Sequence, residues 1–241
     1  MNEVISAQCI SKSYGNIKAI DCLSFSVQRG DFFGFLGPNG AGKTTTIRLL
    51  TGILKPDDGE ILINNHSVRN KKEVAKVIGV LSESRGFYDW MTGEEYLRFF
   101  AALYGIENKE QTVESILDEI GLSDRRRSAI GTYSRGMKQR LGFGRSIINN
   151  PEILFLDEPT LGLDPQGQED IQNLLTKLNK KGVTIFYSSH LLHEVSHLCS
   201  VIAIINHGKL VASGTIEALQ EQTKSTDLRD VFLTLTHAKN D

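Results

Sequence analysis

Two hydrophobic patterns share this chain and occupy different parts of it. Apolar runs at residues 32–36, 153–156 and 183–187 have the length of strands buried on both faces of a parallel sheet. The first runs into a glycine-rich loop, the second into Asp157-Glu158, the third into Ser188-Ser189-His190. Helical spacing precedes the second and third runs. Ligands of open α/β sheets bind at the carboxyl ends of the strands, so three strand ends are predicted to converge on one region. Shorter strands are predicted at residues 4–10 and 21–27, with Gly15-Asn16 between them. Residues 201–205 and 209–212 form a closing hairpin turned by Asn206-His207-Gly208.

Between about Ser84 and Asn149 the period changes. Residues 94–104 and 113–120 carry helical spacing and little strand character. The expected organisation is one domain over residues 1–241, with a core at 1–83 and 150–214, an inserted helical lobe at 84–149 and a tail at 215–241. A helix is expected at 215–222 in that tail. The basic clusters Lys71-Lys72 and Arg125-Arg126-Arg127 read as solvated faces.

The glycine-rich loop changes the picture. Gly37-Pro38-Asn39-Gly40-Ala41-Gly42-Lys43-Thr44 fits GxxxxGK[ST], a P-loop, with Thr45 beside it, and it lies between a predicted strand and a helix at 44–51. A triphosphate needs many donors around it. Glycines let backbone N–H groups point inward and approach closely, and the helix adds its positive end. Lys43 would reach the β- and γ-phosphates of ATP, and Thr44 would hold Mg²⁺. The strand at 153–156 delivers Asp157 and Glu158, oxygen ligands of the kind a hard cation prefers. Asp157 would support Mg²⁺ and Glu158 would polarise the attacking water. The predicted fold class is therefore α/β: a P-loop nucleotide triphosphatase core with a mostly parallel sheet, an N-terminal antiparallel β subdomain and an inserted helical subdomain.

Composition narrows the partners. The 241 residues are 40% hydrophobic and 23% charged, ordinary values for a globular chain. A net charge of −2 lacks the basic excess of a nucleic-acid binder. Cys9, Cys22 and Cys199 are too few and scattered for a disulfide framework or zinc site, and read as small buried residues in a reducing cytosol. The start, Met1-Asn2-Glu3-Val4, lacks a secretion signal, and no apolar run approaches the ~18 residues of a span. The expected place is cytoplasmic, peripheral to a membrane if a partner holds it there.

Taken in order, the motifs resemble those of an ABC transporter nucleotide-binding subunit, from Tyr14 to about Gly214. Tyr14 matches the aromatic that stacks on adenine. Tyr133-Ser134-Arg135-Gly136-Met137-Lys138-Gln139-Arg140 matches the signature stretch, Leu161-Gly162-Leu163-Asp164 the D-loop, and His190 the switch histidine. Ser134 and Gly136 begin a predicted helix at 137–148 and offer another anion site. The resemblance implies two copies packed head to tail, each signature closing over the other's ATP, with Asp164 linking the sites and hydrolysis releasing the clamp. Lys43, Glu158 and His190 are the catalytic residues it implies.

Two motifs depart from the family pattern, the signature and the Q-loop. Arg135 and Met137 replace residues of Leu-Ser-Gly-Gly-Gln, and Arg135 faces either nucleotide or solvent. Glu83 aligns with the Q-loop glutamine, where a carboxylate could coordinate Mg²⁺. Phe87, Tyr88, Trp90 and Met91 follow it, where the family docks the cytosolic helix of a membrane permease; packing inside the helical lobe is the other reading. The pattern looks most like the ATPases of two-component exporters, whose partners are separate six-helix permeases moving drugs, antibiotics, peptides or sodium. An ABC ATPase of iron–sulfur assembly matches the size as well, and the partner would discriminate.

Overall fold

The computed structural model describes residues 2–82 and 86–237. Two sheets form its frame. One is antiparallel, in the order β2-β1-β4-β5: β1 Glu3–Tyr14, β2 Ile17–Gln28, β4 Asp58–Ile63 and β5 His66–Ser67. The other runs β10-β9-β3-β8-β7-β6, with β3 Phe32–Leu36, β6 Ile78–Leu81, β7 Ile153–Asp157, β8 Thr184–Ser189, β9 Val201–Asn206 and β10 Lys209–Thr215. Its strands are parallel except β10, which turns back beside β9.

Why the parallel strands read as apolar runs is visible in their faces. Side chains alternate along a strand, and here both faces are covered. Phe33, Phe35, Phe155 and Phe186 share the core with the antiparallel sheet; Phe33, Phe35 and Phe186 meet Phe25 from β2 and Phe155 meets Phe186, with ring centroids 5.2 to 6.1 Å apart. Aromatic pairs of this kind add about 0.5–1.5 kcal/mol each beyond their buried area. Phe32, Leu36, Leu154, Leu156, Ile185 and Tyr187 point the other way, into a second core shared with the helices.

The helices follow that division. α1 (Lys43–Leu50) packs its Ile47, Leu49 and Leu50 into the first core, and α2 (Lys71–Val77) adds Val74. Between β6 and β7 the chain is helical: α3 (Gly93–Leu103), α4 (Lys109–Glu119) and α5 (Arg135–Ile147). Thr92 and Glu95 close a reciprocal capping box at the start of α3. α6 (Pro165–Lys180) and α7 (Leu192–Leu198) cover the second face, and α8 (Ile216–Thr223) and α9 (Leu228–His237) are the last described elements.

Several expectations change. The N-terminal strands are longer than expected, 12 residues each. Their pairing is interrupted by register shifts, which break the apolar alternation that would have revealed their length. Two of those irregular positions hold Cys9 and Cys22, both exposed, both with positive φ, joined as a disulfide. The expectation of three buried thiols therefore holds for Cys199 alone. Cys22 lies 13 positions after Cys9 in sequence, but the strand pairing sets their Cα atoms 3.9 Å apart. Arg126 is likewise not simply solvated: it pairs with Glu94 and Glu114 at 3.3 and 3.7 Å.

Candidate functional site

Register brings the three chemical strand ends level. Leu36 of β3 stands opposite Ser189 of β8, and Ser188 stands opposite Asp157 of β7. The glycine loop, the acidic pair and His190 therefore leave the sheet side by side, and a cleft of about 490 Å³ opens above them. That volume is within the range of small-molecule sites. Its walls are Pro38, Asn39, Gly40, Gly42, Lys43, Thr44 and Thr45, with Ala19, Glu158, Leu161 and His190.

Two glycines have identifiable reasons. A Cβ on Gly37 would stand 2.5 Å from the Ile205 carbonyl, so only glycine passes there. Gly42 adopts φ 109° as the residue preceding α1, and a Cβ would meet Ile20 and the Ala19 carbonyl. No side chain caps that helix start, which leaves its first-turn N–H groups for an anion. The loop is tied from within, where Ala41 N–H donates to the Pro38 carbonyl, and from outside, where Gly208 N–H donates to the Ala41 carbonyl.

Lys43 is 7% exposed. Its Nζ donates to the Gly37 carbonyl at 2.8 Å and approaches that of Pro38 at 3.4 Å and Glu158 Oε1 at 3.6 Å. The ammonium is thus stored among oxygens of its own chain, where a phosphate would compete for it. Glu158 takes φ 51° directly after β7, a conformation that costs a non-glycine residue about 1–3 kcal/mol and clusters at functional sites. Its N–H donates to the Ser188 carbonyl, and its other carboxylate oxygen lies 2.9 Å from His190 Nδ1. An ionised carboxylate only accepts, so Nδ1 is the donor. Asp157 is buried and accepts from Ser188 Oγ at 3.3 Å.

The signature residues stand elsewhere. Ser134 is exposed and caps α5, accepting from Met137 N–H at 3.2 Å. Neither it nor Gly136 is among the residues walling the cleft. Arg135 is exposed to solvent, and its Nη2 also donates to the Leu161 carbonyl at 3.0 Å, in the loop that leads from Glu158 to Asp164. Gln139, which sequence reasoning did not single out, is buried and donates to the Pro159 carbonyl. Asp164 is exposed and caps α6, accepting from Gly167 N–H at 3.0 Å ahead of Pro165.

The other predicted positions do not wall this cleft among the described residues. Tyr14 ends β1 opposite Ile17, is 47% exposed, and is not among the cleft walls. Glu83 lies outside the described residues; Ser82 and Gly86, on either side, border a second cleft with Asp157, Glu158 and Arg135. The aromatic cluster divides. Phe87 packs its ring, tilted by 51°, against buried Tyr96 at 5.4 Å and Met91 packs on the core, whereas Tyr88 and Trp90 are exposed, Trp90 by 76%. The packing reading holds for Phe87 and Met91, and Tyr88 and Trp90 stay outside that packing.

The donor set suits a hard cation only in part. Thr44 offers a hydroxyl and Asp157 a carboxylate, both oxygen ligands, yet no group of three or more acids, histidines and cysteines among the described residues forms a metal cage. Thr44 walls the first cleft and Asp157 borders the second; so few protein oxygens would fit a cation such as Mg²⁺ only where substrate phosphates complete its ligands.

Residues 20–161 match the family described as ABC transporter. The chain belongs to that family. It is 41% identical over 226 residues to the bacitracin transport ATP-binding protein BcrA of Bacillus licheniformis, covering 93% of this chain and 74% of that protein. The linearmycin resistance ATP-binding protein LnrL of Bacillus subtilis (strain 168) is 38% identical over 216 residues, 88% of this chain and 69% of that one. The structure of an ATP-binding subunit of an ABC transporter superposes with a TM-score of 0.89 at 28% identity, over 96% of this chain and 99% of the other. The chain is an ATP-binding, ATP-hydrolysing subunit of an ABC transporter, with this family's α/β cassette fold. No helix among the described residues of this ABC subunit is long and apolar enough to cross a membrane.

Proposed function

We propose that this subunit drives export through a separate membrane permease, closing head to tail with a second copy around two ATP molecules. The observation that carries this reading is a division of labour: Lys43, Glu158 and His190 share one cleft, while Ser134 and Gly136 are not among its walls. A signature that does not wall its own cleft is available to a neighbour's. The relatives' printed roles, bacitracin transport and linearmycin resistance, support export of an antibiotic-like cargo.

In this reading the loop from Gly37 to Thr45 wraps the triphosphate, with Pro38, Asn39, Gly40, Ala41 and Gly42 presenting backbone groups, and Tyr14 stacks on the base. Lys43 leaves its carbonyls for the γ-phosphate. Glu158 orients the attacking water from a backbone already turned for it, and His190 holds that carboxylate and meets the phosphate side. Ser134 and Gly136 of the twin donate from across the interface, and Asp164 links the two sites. Thr44 and Asp157, with Glu83, would hold Mg²⁺, which supplies positive charge against the phosphate oxygens as they separate.

Tyr88 and Trp90 form the outward face for the permease's cytosolic helix, with Phe87 and Met91 anchoring that face from within. Exposed aromatics of this kind are enriched at interface centres. The protein would then work at the cytoplasmic face of the membrane as a peripheral subunit. Purification from membranes tests this: recovery with an integral membrane protein, lost in Tyr88→Ala/Trp90→Ala, is expected. Recovery with a soluble scaffold would overturn it.

A further inference from the structure

Beside the cleft, and not part of its wall, is a buried carboxylate that the catalytic reading leaves unused. Glu194 of α7 is 1% exposed. Its Oε2 accepts from Tyr187 OH at 2.8 Å, Thr160 Oγ1 at 2.9 Å and Ser189 Oγ at 3.3 Å; its Oε1 accepts from Gln172 Nε2 at 3.3 Å. Four donors on one carboxylate satisfy it without a cation.

The donors come from the segments that carry the chemistry. Thr160 stands two residues after Glu158, in the loop that runs on to Asp164. Gln172 sits on α6, the helix that Asp164 caps. Tyr187 and Ser189 belong to the end of β8, and Ser189 Oγ also accepts from Leu191 N–H at 3.0 Å, so His190 is held from both sides. Each of these groups is buried or half-buried, where hydrogen bonds rigidify a network most. Tyr187's phenol is held well above its ordinary range, first by burial and then by the charge of Glu194, so it stays a donor.

We propose that Glu194 is a positioning residue: through Thr160, Gln172, Tyr187 and Ser189 it locks the Glu158 loop, the Asp164 helix and His190 into one geometry. This rests on the proposed ATPase roles of Glu158 and His190. The lock works by hydrogen-bond acceptance, not by charge: a glutamine can place its oxygen among the three hydroxyls and turn its amide to the Gln172 oxygen.

The test uses single-link variants, which remove one hydroxyl without opening a large cavity. Thr160→Val and Ser189→Ala are expected to lower kcat for ATP about tenfold, with the ATP dissociation constant within about threefold, because misplacement of catalytic groups affects turnover more than binding. Glu194→Gln is expected to stay within about threefold of wild type in kcat. A second readout needs no turnover: the imidazole NMR signals of His190, assigned with His190→Gln, should shift in nucleotide-free Thr160→Val and Ser189→Ala but not in Glu194→Gln. Unmoved His190 signals, or kcat within twofold in both single-link variants, would overturn the proposal. A wild-type protein that fails to hydrolyse ATP while His190 still moves would sink the ATPase roles and leave the lock standing.

Discussion

His190 Nδ1 and Glu158 Oε2 meet at 2.9 Å, and the same carboxylate reaches toward Lys43 Nζ at 3.6 Å with its other oxygen. Glu158 therefore stands between a donor that steadies it and a cation that ATP would draw away. Its backbone, at φ 51°, already bears the cost of facing the cleft. Replacing it with glutamine keeps the shape and removes the base. Glu158→Gln should bind MgATP normally, hydrolyse it at least about 10²-fold more slowly, and accumulate ATP-dependent dimers. Phosphate release and size-exclusion chromatography read both effects; wild-type turnover would remove Glu158 from its role.

Lys43 donates to the loop when no phosphate is there, so its loss should show differently with and without ligand. Lys43→Ala should weaken ATP binding at least about tenfold, since a charge-assisted contact of this kind is worth about 1.5–3 kcal/mol. A fluorescent-nucleotide titration measures it. Unchanged affinity would mean that the ammonium never leaves the Gly37 carbonyl.

Arg135 ties the start of the signature helix to the Leu161 carbonyl within one chain. The contact is exposed, so Arg135→Ala should shift the unfolding midpoint little, the usual cost of such surface changes being within about 0.5 kcal/mol. Its effect should appear in turnover, because Leu161 is the third residue after Glu158 and walls the same cleft. A drop in kcat without a matching drop in stability is the expected result; an equal fall in both would make Arg135 a packing residue only.

The Cys9–Cys22 bond closes a short loop, and disulfides over loops near this size stabilise by about 3 kcal/mol in the chain-entropy treatment. Denaturing the oxidised protein should expose one titratable thiol, Cys199, and reduction should yield three. In the native state Cys199 should resist alkylation, because burial, and then Glu194, push its thiol up. Three thiols before reduction would contradict the pairing.

Much of the site was legible because its residues are adjacent in sequence. The glycine loop is a local motif, and Asp157, Glu158 and His190 each follow a run that both cores bury. The turned backbone of Glu158 and the carbonyl cradle of Lys43 were not legible because they are set by backbone turns that residue type alone does not specify, and the Glu158–His190 contact and the Glu194 network because they join side chains that meet only after folding. Thr160 and Glu194, for example, are separated by 34 residues and join at 2.9 Å. β4 escaped for another reason: it begins Asp58-Gly59-Glu60, polar residues that hide a strand whose inward side chains are Ile61 and Ile63. The disulfide escaped because Cys9 and Cys22 sit where the strand register slips.

The head-to-tail sandwich can be tested by crosslinking two differently tagged copies, one carrying Asn39→Cys and the other Ser134→Cys, in a Glu158→Gln background with Cys9, Cys22 and Cys199 replaced by alanine. With MgATP and a short thiol crosslinker, the account predicts a product that joins the two tags and disappears when nucleotide is omitted. Bound ATP with no joined product, or a product equally abundant without nucleotide, would contradict it.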